Sequence, residues 1–110
     1  MPETFQRAIG STDLPEGAAR ALTLAGAPVL LCRVDGRIHA LINRCSHADS
    51  PLDGGRIRRG AIICPLHGAI FNLTTGQCLG SAGYGPLTVL ATRETDGWID
   101  VAVGAASPPS

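Results

Sequence analysis

Two short stretches of the 110-residue chain bring together the residue types that hold metals. Cys45-Ser46-His47 is spaced C-x-H and Cys64-Pro65-Leu66-His67 is spaced C-x-x-H, with sixteen residues between His47 and Cys64. A thiolate and an imidazole this close in a turn can point the same way, which a strand at C-x-x-H or a helix at C-x-H does not easily allow. Two such turns brought together make a cage of two sulfurs and two nitrogens. That donor set suits an iron–sulfur cluster with two Cys on one iron and two His on the other. It also suits tetrahedral Zn(II). The bland reading is two core cysteines beside two surface histidines. It sits poorly with a doubled motif in Gly- and Pro-bearing loops.

The elements that must position these turns read as short strands. Asp35-Gly36 lies between the apolar runs Val29 to Val34 and Arg37 to Ile42, a strong hairpin signal. Before it, Arg20 to Leu24 alternates loosely and is expected to form a strand that ends at a Gly26-Ala27-Pro28 turn. Periodicity stops after Asn43, and Arg44 to Gly55 reads as a loop. Arg56 to Cys64 reads as a strand pair or one bent strand with Ile57, Ile62 and Ile63 facing inward, and Cys64 to Gly68 as a second loop. Phe71-Asn72-Leu73 forms a short strand closed by Thr74-Thr75-Gly76, and Ser81 to Pro86 forms a loop. Leu87 to Thr92 and Trp98 to Val103 are expected to pair as a closing hairpin around Thr95-Asp96-Gly97. No window carries a sustained helical period beyond one turn near Asp13 to Ala19, capped by Asp13 and started by Pro15.

Composition agrees with one small all-β domain. Hydrophobic residues make up 45% and charged residues 16%, too apolar for a disordered chain. Aromatic content is only 4%, so the core must rest on aliphatic side chains. Nine basic residues balance nine acidic ones, and a net charge of zero argues against a broad grip on nucleic acid or anionic lipid. Residues 1–10 carry no apolar signal-peptide core, and the longest apolar run, Ala21 to Leu31, is broken by Gly26 and Pro28. The expected setting is the reducing cytoplasm, where structural disulfides are unlikely partners for Cys32 and Cys78.

With these residues in view, the chain resembles the Rieske family, and within it the Rieske-type ferredoxins of bacterial aromatic-ring dioxygenases. The resemblance runs from the hairpin before Cys45 to the strand near Val103. It is sharpest at Cys45-Ser46-His47-Ala48-Asp49 and at Cys64-Pro65-Leu66-His67-Gly68-Ala69-Ile70-Phe71, followed by Thr75-Gly76. It implies an all-β Rieske iron–sulfur fold: small stacked antiparallel sheets with a two-loop cluster-binding lobe at about 44–85, within a single domain 1–103 and a frayed tail 104–110. It implies one [2Fe-2S] cluster, with Cys45 and Cys64 on the inner iron and His47 and His67 on the outer. It further implies a soluble, monomeric one-electron carrier, not itself an enzyme. The carrier would take its electron from a flavin-dependent ferredoxin reductase and pass it to a terminal oxygenase.

Imidazole brings less negative charge than thiolate, so such a cluster accepts its electron more readily than an all-Cys one. With four protein ligands no coordination position stays open for substrate. Respiratory members of the family carry an extra Cys in each loop, where this chain has Ser50 and Leu66, and hydroxyl donors where it has Ala69 and Phe71. The expected potential therefore lies at the low end of the range of roughly −150 to +300 mV.

The loop at Ser81 to Pro86 departs from relatives that begin it with Pro, and Arg56, Arg58 and Arg59 sit close to a cluster loop. Those three arginines read first as a solvated strand face and second as a docking surface. Cys32 and Cys78 read as small hydrophobes, His39 as an exposed strand residue, and Trp98 and Phe71 as core. An oxygenase large-subunit domain, a nitrite reductase small subunit and a zinc-stabilised interaction module are the other placements for such a chain.

Overall fold

A computed structural model describes residues 5–44, 52, 54–65, 68–79 and 85–103. Eleven strands run in chain order: β1 Phe5–Gly10, β2 Ala19–Leu24, β3 Ala27–Val34, β4 Arg37–Ile42, β5 Arg56–Arg58, β6 Ala61–Ile63, β7 Ile70–Asn72, β8 Cys78–Leu79, β9 Val89–Leu90, β10 Thr92–Thr95 and β11 Trp98–Ala102. They form three sheets, ordered β1-β11-β10, β2-β3-β4-β9 and β5-β6-β7-β8. Every pairing is antiparallel. The all-β expectation holds.

The apolar run of β3 explains how the sheets stack. Val29, Leu30, Leu31 and Cys32 are all fully buried, although successive side chains of a strand point to opposite faces. Both faces of the β2-β3-β4-β9 sheet must therefore be covered. Leu30, Cys32 and Leu41 pack with Leu52, Ile62, Cys64, Phe71 and Leu73 of the β5–β8 side. Val29, Leu31 and Ala40 pack with Leu14, Ile99, Val101 and Val103 of the β1-β11-β10 side. One sheet thus carries a core on each side. The β5–β8 unit is called the lobe below and the β1-β11-β10 sheet the base.

Four of the hairpins close on two-residue turns, Ala25-Gly26, Asp35-Gly36, Arg59-Gly60 and Asp96-Gly97, with both residues at positive φ in each. This is the twist-matched turn that favours Gly at its second position. The β2–β3 turn is therefore Ala25-Gly26 and not the expected Gly26-Ala27-Pro28. Pro28 lies inside β3, one residue before the β3–β4 pairing begins at Val29, so its missing N–H falls at the end of that ladder. Glu16 braces the next turn, its carboxylate accepting the backbone N–H groups of Asp35 at 2.7 Å and Gly36 at 2.8 Å.

The expected closing hairpin is divided between two sheets. Val89–Leu90 pairs with β4, and only Thr92–Thr95 pairs with β11, because the chain crosses from the central sheet to the base at Ala91. β1, which the sequence did not signal, covers the other edge of β11. The expected turn at Asp13 to Ala19 is instead a single 3-10 turn at Ser11–Asp13, ahead of Pro15. Ile63 is only half-buried because its neighbour Ile62 takes the inward position. Trp98 is 43% exposed and not core, with the Arg7 guanidinium 5.0 Å from its ring centroid. Phe71 is fully buried, as expected.

Three adjacent strands of the base place Arg7, Asp100 and Arg93 in one row. Both arginine Nε atoms donate to the Asp100 carboxylate at 3.2 Å. Burial alone would raise the Asp100 pKa, but the two guanidiniums outweigh it and hold the carboxyl below its ordinary value.

Candidate metal centre

The lobe is a four-stranded meander whose inner face is one cross-strand row. Ile57 opposes Ile62, Ile62 opposes Phe71 and Phe71 opposes Cys78. Ile62 and Phe71 are buried in the lobe core, and Ile57 and Cys78 pack against it. With this row pointing inward, the ends of the short strands are left to carry loops.

Cys64 begins the loop between β6 and β7. Its N–H donates to the Ala69 carbonyl at 2.7 Å, and its carbonyl accepts the Gly68 N–H at 3.0 Å. Both of its backbone groups are thus fixed by the same six-residue turn. The loop between β4 and β5 is pinned at its far end. The Leu52 N–H donates to Asn43 Oδ1 at 2.7 Å, and the Gly55 N–H donates to the Leu52 carbonyl at 3.0 Å.

The two loops meet where Gly55 passes the backbone before Cys64. A Cβ on Gly55 would stand 2.2 Å from the Ile63 carbonyl oxygen and 3.0 Å from that of Leu52, so only glycine fits. A similar close approach ties in the segment after β8. The Leu87 N–H donates to the Gly76 carbonyl at 2.7 Å, and a Cβ on Gly76 would lie 2.3 Å from the Leu87 oxygen. Asn43, Gly55 and Gly76 position the loops without being ligand types. The sequence marks Asn43 only as the point where periodicity stops.

Of the four expected ligands, Cys64 lies among the described residues; Cys45, His47 and His67 lie outside them. Among the described residues no three metal-binding side chains converge. Cys64 is 1% exposed and packs in the lobe core with Leu52, Ala69 and Phe71. A thiol anchored at the root of a turn, in apolar surroundings and with both backbone groups fixed, suits a soft metal such as iron in a sulfide cluster. Its fixed backbone also limits reorganisation when a charge is gained or lost.

The other side chains separate from this site. Cys32 is fully buried beneath the lobe, and burial pushes its thiol up to about 12, so it is an inert core residue. Cys78 is half-buried on the inner row; all three described cysteines are free. His39 differs from expectation. It opposes Cys32 on β4 and so shares the lobe-facing side of the central sheet. Burial lowers its pKa, a hydrogen bond with the Leu73 backbone works against that shift, and Arg37 adds to it. It lines a cleft of about 380 Å³ with Val34, Arg37, Gly60 and Thr74.

The Rieske [2Fe-2S] domain family matches residues 4–91 of the chain. This protein belongs to the Rieske family. Its cofactor is accordingly a Rieske-type [2Fe-2S] cluster. Over 65 residues the chain is 44% identical to apoptosis-inducing factor 3 of Mus musculus, a match covering 59% of this chain and only 11% of that much longer protein. It is 36% identical to the 3-phenylpropionate/cinnamic acid dioxygenase ferredoxin subunit of Escherichia coli (strain K12), covering 87% of this chain and 91% of the relative. Its fold is similar to a chain in the solved complex of reduced oxygenase and oxidized ferredoxin in carbazole 1,9a-dioxygenase. That match has a TM-score of 0.83 at 28% identity and covers 92% of this chain and 94% of the other.

Proposed function

We propose that this Rieske protein is the ferredoxin component of an aromatic-ring dioxygenase system. In this reading it carries one electron from a flavin-dependent ferredoxin reductase to a terminal oxygenase. The observation that carries the reading is its 36% identity to a dioxygenase ferredoxin subunit along nearly the whole of both chains. In support, a fold match of similar extent joins it to a ferredoxin–oxygenase complex. The longer apoptosis-inducing factor 3 shares the domain over a small part of its length and lends its own activity no weight here.

In this account Cys45 and Cys64 hold one iron and His47 and His67 the other, and these residues make up the site. When bound, the cluster supplies a one-electron couple. The chain supplies the rest. Cys64 is the ligand locked into the core. Leu52 and Ala69 exclude water on its protein side. Ala69 and Phe71 offer no hydroxyl to the sulfurs, which favours a potential at the low end of roughly −150 to +300 mV. We take residues 1–103 as one monomeric cytoplasmic domain with its lobe at 44–85, leaving 104–110 as a tail.

The test is reconstitution of the electron path. Purified holoprotein, the ferredoxin reductase and the oxygenase of an aromatic-ring system are mixed with NADH, and ring hydroxylation is followed. The expected result is turnover that depends on this chain and a midpoint potential in the lower half of the Rieske range. A colourless protein containing zinc would overturn the reading, as would a red-brown protein that the reductase does not reduce.

A further inference from the structure

The outer face of the lobe sheet carries a pattern that stability does not require. Arg56 opposes Ile63, Ile63 opposes Ile70 and Ile70 opposes Leu79, so these four side chains cross the sheet in one row. Directly opposed residues share a face, and alternation puts this row on the side away from the buried Ile62 and Phe71. Ile70 is 38% and Leu79 42% exposed, two of the three large apolar side chains exposed among the described residues. Isolated exposed apolar residues need no explanation, but adjacent ones in a row do.

Arginine rims this row. Arg56 ends it at the open edge strand, and Arg58 and Arg59 follow, all exposed and none in an ion pair with a described residue. The neutral chain is in fact polarised along its length. Residues 44–85 carry four arginines against Asp49 and Asp53, while the remainder carries five arginines against seven carboxylates. In the base and beside it, three arginines are ion-paired: Arg7 and Arg93 share Asp100, and Arg33 pairs with Glu94. The row also adjoins the metal centre, since Ile63 precedes Cys64 and Ile70 follows Ala69.

We infer that the outer face of the lobe sheet, Ile63, Ile70 and Leu79 rimmed by Arg56, Arg58 and Arg59, is a docking surface for an electron-transfer protein that presents an apolar centre ringed by carboxylates. An apolar core with arginine around it is the usual anatomy of a specific protein contact. The charge asymmetry turns the lobe, and not the base, toward an acidic partner during approach. The inference rests on the electron-carrier reading and adds to it where the partner docks and what its surface must look like.

The experiment follows oxidation of the dithionite-reduced holoprotein by stopped flow with two one-electron protein acceptors, acidic plastocyanin and basic cytochrome c, across a range of salt. Oxidation by plastocyanin is expected to be the faster at low salt and to fall roughly tenfold as salt is added. In R56Q/R58Q this acceleration should vanish. Leu79→Ser should slow plastocyanin at every salt concentration while leaving oxidation by the small hexaammineruthenium(III) ion unchanged. Rates insensitive to salt and to both substitutions, or faster oxidation by cytochrome c at low salt, would overturn the docking surface while the carrier reading stands. A protein with no reducible chromophore would overturn the carrier reading and the docking surface together.

Discussion

The two faces of the central sheet are built by different means. Toward the base, five- and six-residue strands pair along their length, and the Arg7–Asp100–Arg93 row closes the outer side. Toward the lobe, strands of two or three residues are joined by turns and held by close backbone approaches at Gly55 and Gly76. The base has longer ladders and its own buried core around Leu14, Ile99 and Val101. The lobe has few ladder bonds, so its stability leans on Phe71, on Leu52 and on whatever ties its two loops together. In the proposed account that tie is the metal cluster, so metal binding and folding of the lobe would be coupled. In the proposed account the base is scaffold and the lobe is the working part.

Phe71→Ala should break this contrast most severely. It empties the largest fully buried side chain of the lobe core and is expected to cost about 3–5 kcal/mol, with loss of visible absorbance well before the far-ultraviolet strand signal is lost. Denaturant titration followed by both probes measures the two losses. Coincident transitions at all protein concentrations would mean that the lobe has no separate weakness.

Leu30→Ala and Leu31→Ala sharpen the contrast further. These neighbours are equally buried, but Leu30 faces the lobe and Leu31 the base. Each substitution should cost about 2–5 kcal/mol, whereas only Leu30→Ala should alter the visible spectrum or the iron content of the folded fraction. Gly55→Ala comes next, at about 1–3 kcal/mol for the overpacking, because the backbone at Ile63 must retreat. Its main readout is lowered iron content, since Ile63 precedes Cys64.

Acid should separate the regions by the smallest margin. His39, at the junction with the lobe, has a lowered pKa in the folded chain. Its contribution is therefore complete above the ordinary imidazole value of about 6.5 and is lost as pH falls through the folded value. Asp100 in the base also has a lowered pKa, so its contribution is complete above the ordinary carboxylate value of about 3.9 and is lost only at lower pH. On acidification the visible spectrum should fade before the base unfolds, and His39→Gln should remove the first step.

Much of this was legible in the residues, unevenly. The Asp35-Gly36 and Asp96-Gly97 turns were plain because Asp and Gly carry the turn chemistry. Ala25-Gly26 was misplaced by one residue, because Ala is an uncommon choice at positive φ and Pro28 drew the turn forward. Trp98 reads as core from the sequence, yet alternation with Ile99 puts it outside, where Arg7 covers it. β1 has no clean alternation, since its strand is irregular between Arg7 and Ile9. His39 looked like a solvent residue because nothing local signals that a second sheet covers that face. Cys64 is singled out by its spacing, whereas Gly55 and Gly76 position the loops only through contacts distant in sequence.

The central claim is that His47 and His67 share one iron while Cys45 and Cys64 share the other. Pulsed electron paramagnetic resonance on the reduced holoprotein, prepared with ¹⁵N-labelled histidine, tests it most directly. The account predicts coupling of the cluster spin to two histidine nitrogens in the wild-type chain, and its loss in His47→Ala and His67→Ala. A reduced cluster with no histidine nitrogen coupled, or one whose coupling survives both substitutions, would contradict it.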